Sequence, residues 1–274
     1  MNRAANKTVI VTGAAKGFGE GIACDMFREG ANVVMADLDE ANGAALEKKL
    51  NAAGNNKALF VKCDVSNESE VENLVNEAVK KFRSLDVFVS NAGVLKAGGL
   101  EELKKEDFEF LTKVNYTGFY LCVKHAARAM KEQNQKRPGI MTDIIQINSK
   151  SGLRGSHKNF AYAGGKFGAI GLAQSFALEL IPYNIKVNVI CPGNFFEGPL
   201  WMDPKIGLFV QYLKAGKAPG AKTIEDVKNY YEQQTPMKRG CRVEDVMKAI
   251  YYLIEQQYET GQALPVTGGQ VMLN

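Results

Sequence analysis

Histidine is nearly absent from this chain: among 274 residues only His125 and His157 occur, and neither has a second ligand at a metal-binding spacing such as HExxH. A zinc site is therefore not expected. The five cysteines, Cys24, Cys63, Cys122, Cys191 and Cys241, are odd in number, widely spaced and without a CxxC pair. Free thiols in a reducing compartment fit that pattern better than a disulfide framework. No stretch of ~18 apolar residues occurs, which argues against a membrane-spanning helix. There is also no block of like charges that would serve as a nucleic-acid arm, and the formal net charge is only +4. The opening residues, MNRAANKTVIVTG, run into a strand with no apolar signal core, so a soluble cytoplasmic protein is expected.

What is present is the composition of an ordinary globular domain, 46% hydrophobic and 23% charged. Short apolar runs alternate with longer amphipathic stretches, the pattern of βαβ units and a parallel sheet. Seven strands are expected, at Thr8–Gly13, Asn32–Asp37, Ala58–Asp64, Asp86–Gly93, Asp143–Ser149, Ile185–Gly193 and Ala263–Gly269. Several are apolar at nearly every position, as strands are when helices cover both faces of a sheet. Helices are expected to start near Gly17, Asp39, Asn67, Asp107, Phe160 and Val243. The rhythm breaks over residues 194–242, a segment punctuated by Pro and Gly. An insertion of that length between sheet elements commonly serves as an active-site lid.

Three glycines, Gly13, Gly17 and Gly19, fall in TGAAKGFG, where the first strand turns into a helix. Glycine there permits a tight turn and close approach of a pyrophosphate to backbone N–H groups at the positive end of the helix. Asp37 closes the second strand 18 residues after Gly19. A carboxylate there can accept hydrogen bonds from the adenosine ribose hydroxyls and repel a 2′-phosphate, favouring NAD over NADP. Lys16 is the opposing signal, a cation able to meet a 2′-phosphate. Later in the chain Ser149 is followed by Tyr162 and, about one helical turn on, by Lys166. At i, i+4 the ammonium lies beside the phenol and favours its ionised form. A free tyrosine, with a pKa of ~10, is a poor base at neutral pH. Lys166 and an oxidised nicotinamide supply the charge that makes Tyr162 usable as a general acid/base.

TGAAKGFG, Asp64, Asn91-Ala92-Gly93, Asn115, Ser149, Tyr162, Lys166 and Pro192-Gly193 occur in order, and over Thr8 to Gly269 the chain resembles the short-chain dehydrogenase/reductase family. The resemblance implies a Rossmann-type, doubly wound seven-stranded parallel α/β sheet in one domain, with a helical lid insertion. It implies that Ser149 holds the substrate oxygen, that Lys166 also binds the nicotinamide ribose, and that Asn115 supports a proton-relay water through its backbone. Cofactor contacts are expected from Gly13, Lys16, Gly17, Phe18 and Gly19, from Asp37, and from Asp64 and Val65 flanking the adenine. Asn91, Ala92, Gly93, Tyr162, Lys166, Pro192, Gly193 and Phe195 complete that set. Two departures stand out. Glu197 occupies the position where the family often has a threonine that contacts the nicotinamide amide. Gly164-Gly165 sits between Tyr162 and Lys166 at a helix cost of ~2 kcal/mol relative to alanine, which points to close approach of the cofactor or of another chain.

Between Ser149 and Tyr162 lie Lys150, Arg154, His157 and Lys158, potential cations beside the reacting carbon, and an anionic substrate with phosphate leading is expected. IIQINSKSG, PMKRGC and VTGGQVM resemble the branch of the family that interconverts D-sorbitol 6-phosphate and D-fructose 6-phosphate with NAD. Reduction of a 3-oxoacyl carrier protein, oxidation of an unphosphorylated polyol or steroid, and a catalytically silent cofactor-binding regulator remain alternatives. The apolar residues Phe108, Leu111, Phe119 and Phe176 lie on helices that pair subunits in family homotetramers, and a homotetramer is expected. No nucleic-acid or membrane partner is.

Overall fold

The computed structural model describes residues 2–54 and 57–272. Seven strands form one sheet: β1 (Thr8–Thr12), β2 (Asn32–Asp37), β3 (Ala58–Lys62), β4 (Val87–Ser90), β5 (Thr142–Ile147), β6 (Ile185–Pro192) and β7 (Ala263–Val266). Their order is β3-β2-β1-β4-β5-β6-β7, and every neighbouring pair is parallel. The chain leaves β1 outward to β2 and β3, then crosses back to place β4 on the other side of β1. That reversal opens a crevice beyond the carboxyl ends of β1 and β4, where doubly wound sheets take their ligands.

The helices are α1 (Gly17–Arg28), α2 (Glu40–Ala53), α3 (Glu68–Phe82), α4 (Lys105–Thr112), α5 (Gly118–Lys136), α6 (Phe160–Leu180), α7 (Pro199–Met202), α8 (Leu208–Lys214), α9 (Ile224–Gln233) and α10 (Val243–Glu255). All five residues of β1 are buried. Ile10 joins an apolar cluster with residues of α3, α5 and α6, whereas Val9 and Val11 join one with residues of α1, α2 and α10. The near-continuous apolar runs thus reflect a sheet covered on both faces.

Most of the expected strands run on in sequence beyond the paired ladder. Gly13, Asp64, Asn91-Ala92-Gly93, Ser149, Gly193 and Gly268-Gly269 all lie past the last paired residues and form loops at the crevice. Asp39 and Asn67 are N-caps, their side chains accepting from Asn42 N and Ser69 N. The helix expected near Asp107 begins two residues earlier, at Lys105.

Residues 194–242 hold α7, α8 and α9 and bury a cluster of their own, built from Phe196, Trp201, Leu208, Phe209, Tyr212, Ala218 and Val227. Trp201 is its centre, with ring centroids of Phe209 at 4.9 Å, Phe196 at 5.0 Å, and Tyr212 and Tyr231 each at 5.5 Å. Leu95 and Ala97, in the loop after β4, pack against the same cluster and tie this segment to the body of the fold. The glycine pair expected to mark a close approach shows none within the chain. A Cβ at Gly164 would meet nothing within 4 Å, and one at Gly165 only Asn115 Cβ at 3.9 Å.

Candidate active site

The glycine loop is shaped by close approach. Gly13 has φ +63° and Gly17 φ +66°, and a Cβ on Gly19 would stand 1.9 Å from the Gly13 carbonyl oxygen. Only glycine fits at position 19, and the first turn of α1 consequently lies directly against the end of β1. This is a cradle in which backbone N–H groups can reach a diphosphate. The loop is braced from β4: Asn91 Nδ2 donates to the carbonyls of Thr12 (2.9 Å) and Gly13 (3.1 Å), and Asn91 N and Ala92 N each donate to Thr12 Oγ1 at 3.0 Å.

Asp37 is fixed at the rim of this cradle, accepting from Ala15 N at 2.9 Å and Asp39 N at 3.0 Å through different oxygens. Each carboxylate oxygen keeps a lone pair for a ribose hydroxyl. Lys16 is exposed and sits in acidic company. Asp39 and Asp203 are held below the ordinary carboxylate range first by their own hydrogen bonds, from Asn42 and from the Ile206 backbone, and in lesser part by the Lys16 charge. That company weakens Lys16 as a partner for a 2′-phosphate. Asp64 Oδ1 accepts from Ser66 N at 2.8 Å, and Val65 is buried against Gly118, whose Cβ would meet Val65 Cγ2 at 3.1 Å.

Ser149, Tyr162 and Lys166 meet at the end of β5. Ser149 caps a short 3-10 turn, Lys150–Gly152, its Oγ accepting from Ser151 N at 3.1 Å. The Tyr162 phenol hydrogen-bonds with Ser149; burial pushes it up to about 12, and that bond works in the opposite direction. Lys166 is 4% exposed, and burial pulls its ammonium down to about 8. Its Nζ donates to the Ile147 carbonyl at 3.1 Å and stands 5.6 Å from the Tyr162 ring centroid. A Cβ on Gly93 would lie 3.7 Å from this Nζ and 3.0 Å from Asn115 Oδ1, so the loop after β4 forms the opposite wall.

Asn115 lies in a π-helical turn, Lys113–Thr117, between α4 and α5. Such a turn takes backbone out of the i→i−4 ladder, a distortion that recurs at functional sites. The Asn115 side chain locks onto one residue, Oδ1 accepting from Val94 N at 2.9 Å and Nδ2 donating to Val94 O at 2.8 Å. With the side chain committed to Val94, the relay is expected of the Asn115 backbone.

Asn148 escapes a reading of the sequence. It is 5% exposed, accepts from Ser149 N at 2.8 Å and donates to the Lys166 carbonyl at 3.0 Å. It pins the serine turn to the helix that carries Tyr162 and Lys166. A polar residue closing the mostly apolar strand IIQIN is the available signal. Tyr212 of α8 escapes too. Its buried phenol is pushed above the ordinary range by burial, then by Tyr231 and Tyr162.

Past Pro192-Gly193, the Phe195 ring stacks on Phe18 of the glycine loop at 4.4 Å and 19°. Pro199 Cδ would be 3.5 Å from a Cβ on Gly17, so the start of α7 rests on the same loop. Glu197 is exposed and turned toward Arg242, with Oε1 3.8 Å from Nε. The four basic residues expected to act together have different partners. Lys150 Nζ donates to Gln270 Oε1 at 2.8 Å, and burial followed by the Arg154 charge pulls Lys150 down to about 8. Lys158 Nζ instead bonds Glu102 Oε1 at 2.8 Å, and the His157 carbonyl accepts from Lys217 Nζ at 3.3 Å. No cluster of three or more His, Cys, Asp or Glu suited to a metal occurs among the described residues.

The sequence profile of the short chain dehydrogenases matches residues 7–201. The chain is 34% identical to the sorbitol-6-phosphate 2-dehydrogenase of Escherichia coli strain K12, over 97% of this chain and 99% of that one. It is 32% identical to the trans-4-hydroxycyclohexanecarboxylate dehydrogenase of Sinomonas cyclohexanicum, over 100% of this chain and 96% of the relative. The crystal structure of sorbitol-6-phosphate 2-dehydrogenase from Erwinia amylovora superposes with a TM-score of 0.88 at 35% identity, covering 97% of this chain and 100% of that one. With the glycine cradle, the braced strand ends and the serine, tyrosine and lysine at one point in space, the chain belongs to the short-chain dehydrogenase family of oxidoreductases, which act on CH–OH groups.

Proposed function

We propose that the protein uses NAD to interconvert D-sorbitol 6-phosphate and D-fructose 6-phosphate, with Ser149, Tyr162 and Lys166 carrying the chemistry. The observation that carries the reading is the meeting of Ser149 with the Tyr162 phenol beside a buried Lys166. Similarity to two proteins named sorbitol-6-phosphate 2-dehydrogenase supports the choice of substrate.

The glycine loop, Asp37, Asp64-Val65 and Asn91-Ala92-Gly93 would hold the dinucleotide, with Pro192, Gly193 and Phe195 at its nicotinamide end. When bound, that cofactor supplies the hydride acceptor. Asp37 has no basic partner among the described residues, and the Lys16 charge acts in small part on Asp39 and Asp203, which supports NAD over NADP. In the oxidation direction Tyr162 takes the C2 hydroxyl proton while the C2 hydride departs, and the Ser149 hydroxyl steadies the oxygen as charge develops on it. A phenol that burial holds near 12 is too weakly acidic for this at neutral pH. The Lys166 ammonium is the chain's own means of lowering it. Asn115, its side chain occupied by Val94, offers a backbone carbonyl to a water that returns the proton to solvent. Residues 194–242 act as a lid, with Phe195 on Phe18 and Pro199 on Gly17 as its contacts with the glycine loop.

The family resemblance and exposed apolar residues on α4 and α6 support a homotetramer. Phe108, Phe167 and Leu178 are 45%, 46% and 80% exposed, whereas Leu111 and Phe119 belong to the core of the single chain. The five unpaired cysteines support a reducing, cytoplasmic setting.

Steady-state assays with NAD and NADP against sorbitol 6-phosphate, mannitol 6-phosphate, sorbitol, trans-4-hydroxycyclohexanecarboxylate and a β-ketoacyl ester test the reading. The expected result is the highest kcat/KM for sorbitol 6-phosphate with NAD. Equal or higher kcat/KM for the unphosphorylated alcohol overturns the choice of substrate.

A further inference from the structure

Lys217, between α8 and α9, is not among the cations that the sequence marks, yet it lies on the lid side of the site. Its Nζ stands 4.1 Å from the Tyr212 ring centroid and donates to the His157 carbonyl at 3.3 Å. His157 and Lys158 in turn lie in the loop that leads directly into α6, whose first turn carries Tyr162. Lys158, the next residue after His157, has φ +53°, an uncommon backbone for lysine; its carbonyl accepts from Gly98 N at 2.9 Å. Three segments thus converge here: the loop after β4, the loop before α6, and the lid.

The charge balance of this corner is uneven. Lys217 and Lys158 are close enough to repel, and Lys217 is held below the ordinary lysine range by burial and then by Lys158. Among the described residues the one carboxylate paired with either ammonium is Glu102, on Lys158 at 2.8 Å. His157 acts on that same carboxylate. An ammonium has three donors. Each lysine has a single hydrogen-bond acceptor among the described residues, so two donors on each remain for an incoming group. Stacking on Tyr212 limits the swing of the Lys217 stem and places its charge beside an aromatic face.

We infer that Lys217 and Lys158, set against Tyr212, form the seat of the substrate phosphate, with Lys217 joining the lid to the body of the protein through that group. The inference rests on the phosphorylated-substrate reading and narrows it. A dianionic phosphate turns the repulsion of two ammoniums into two charge-assisted contacts. The phosphate of a hexitol 6-phosphate sits at the far end of the carbon chain from C2, which suits a seat offset from Tyr162, at the loop that leads into α6. Lys150, adjacent in sequence to the serine that holds the reacting oxygen, is turned toward Gln270 and is assigned no phosphate contact.

The test is the ratio of kcat/KM for sorbitol 6-phosphate to kcat/KM for sorbitol, measured in the wild type, Lys217→Met, Lys217→Arg and Lys150→Met. Both substrates are read on the same folded fraction, so partial misfolding cancels. Lys217→Met is expected to lower the ratio about 10- to 100-fold, the loss of a charged hydrogen bond, and Lys217→Arg to restore most of it. Lys150→Met is expected to keep the ratio. A ratio that survives Lys217→Met, or a loss that follows Lys150→Met instead, overturns the seat while leaving the phosphorylated substrate in place. A wild-type ratio near one overturns the substrate reading itself, and the seat with it.

Discussion

Lys166 has to remain charged in a place that penalises charge. Its ammonium is 4% exposed, and burial pulls it down to about 8 from an ordinary 10.5. Between those two values the unfolded chain holds a proton that the folded one has lost, so folding stability rises with pH across that window. Below pH ~8 the full cost applies, on the order of 3 kcal/mol. Lys166→Met is accordingly expected to stabilise the fold by roughly 1–3 kcal/mol at neutral pH, raising Tm by several degrees, while turnover is lost. The gain should shrink as pH rises through the window; a lower Tm than wild type at neutral pH would contradict this view of the residue. Asp37 carries the second prediction at this scale. Asp37→Ala removes the repulsion of a 2′-phosphate, and the NAD-over-NADP ratio of kcat/KM should fall about tenfold or more; an unmoved ratio would take Asp37 out of the selectivity. Both residues are legible in the sequence because their signals are local, a fixed spacing after a glycine turn and an i, i+4 pair. Tyr212 and Lys217 are not, since nothing in a Gly- and Pro-broken segment tells which side chain returns to the site.

The seven strands are legible from their short apolar runs, and two of the helices from their caps, Asp39 and Asn67. What escapes are features imposed by the assembly of elements. Asn115 stands out in the sequence only through the family resemblance, and its lock onto Val94 and the π turn become visible only in the structure. Lys186 is another case, a lysine in the middle of a buried strand. It is 1% exposed, pairs with Asp143 at 2.9 Å across β5 and β6, and donates to the carbonyls of Leu253 and Gln256 at the end of α10. One ammonium thus lies in ion-pair contact with a buried carboxylate while donating to the last carbonyls of a helix whose C-terminal turn carries no basic residue. Lys186→Met is expected to cost about 3–5 kcal/mol by leaving Asp143 without its partner, read as a lower urea midpoint at unchanged slope. Pairing it with Asp143→Leu should recover much of the loss, whereas equal loss in single and double variants would show that the pair does not act as a unit.

At the scale of the whole molecule the sheet order and the crevice gather one candidate ligand-binding region. The ends of β1, β4, β5 and β6 supply the glycine loop, Asn91, Ser149 and Gly193, and the 194–242 segment supplies Phe195, stacked on Phe18. The outer face of α6 is the other large-scale feature, with Leu178 80% exposed in line with Phe167 and Gly171. Under the proposed homotetramer, Leu178→Glu is expected to give smaller species than wild type in light scattering at micromolar concentration; an unchanged mass would remove this face from the proposed contact.

The central claim is that Tyr162 moves the proton while the hydride leaves C2, and Tyr162→Phe tests it most directly because it deletes one hydroxyl and keeps the ring. Turnover of sorbitol 6-phosphate and NAD affinity, followed by fluorescence titration, are measured on the same preparation. The expected result is a fall in kcat of about 100-fold or more with the dissociation constant for NAD changed less than about threefold. A kcat within a few fold of wild type would contradict it.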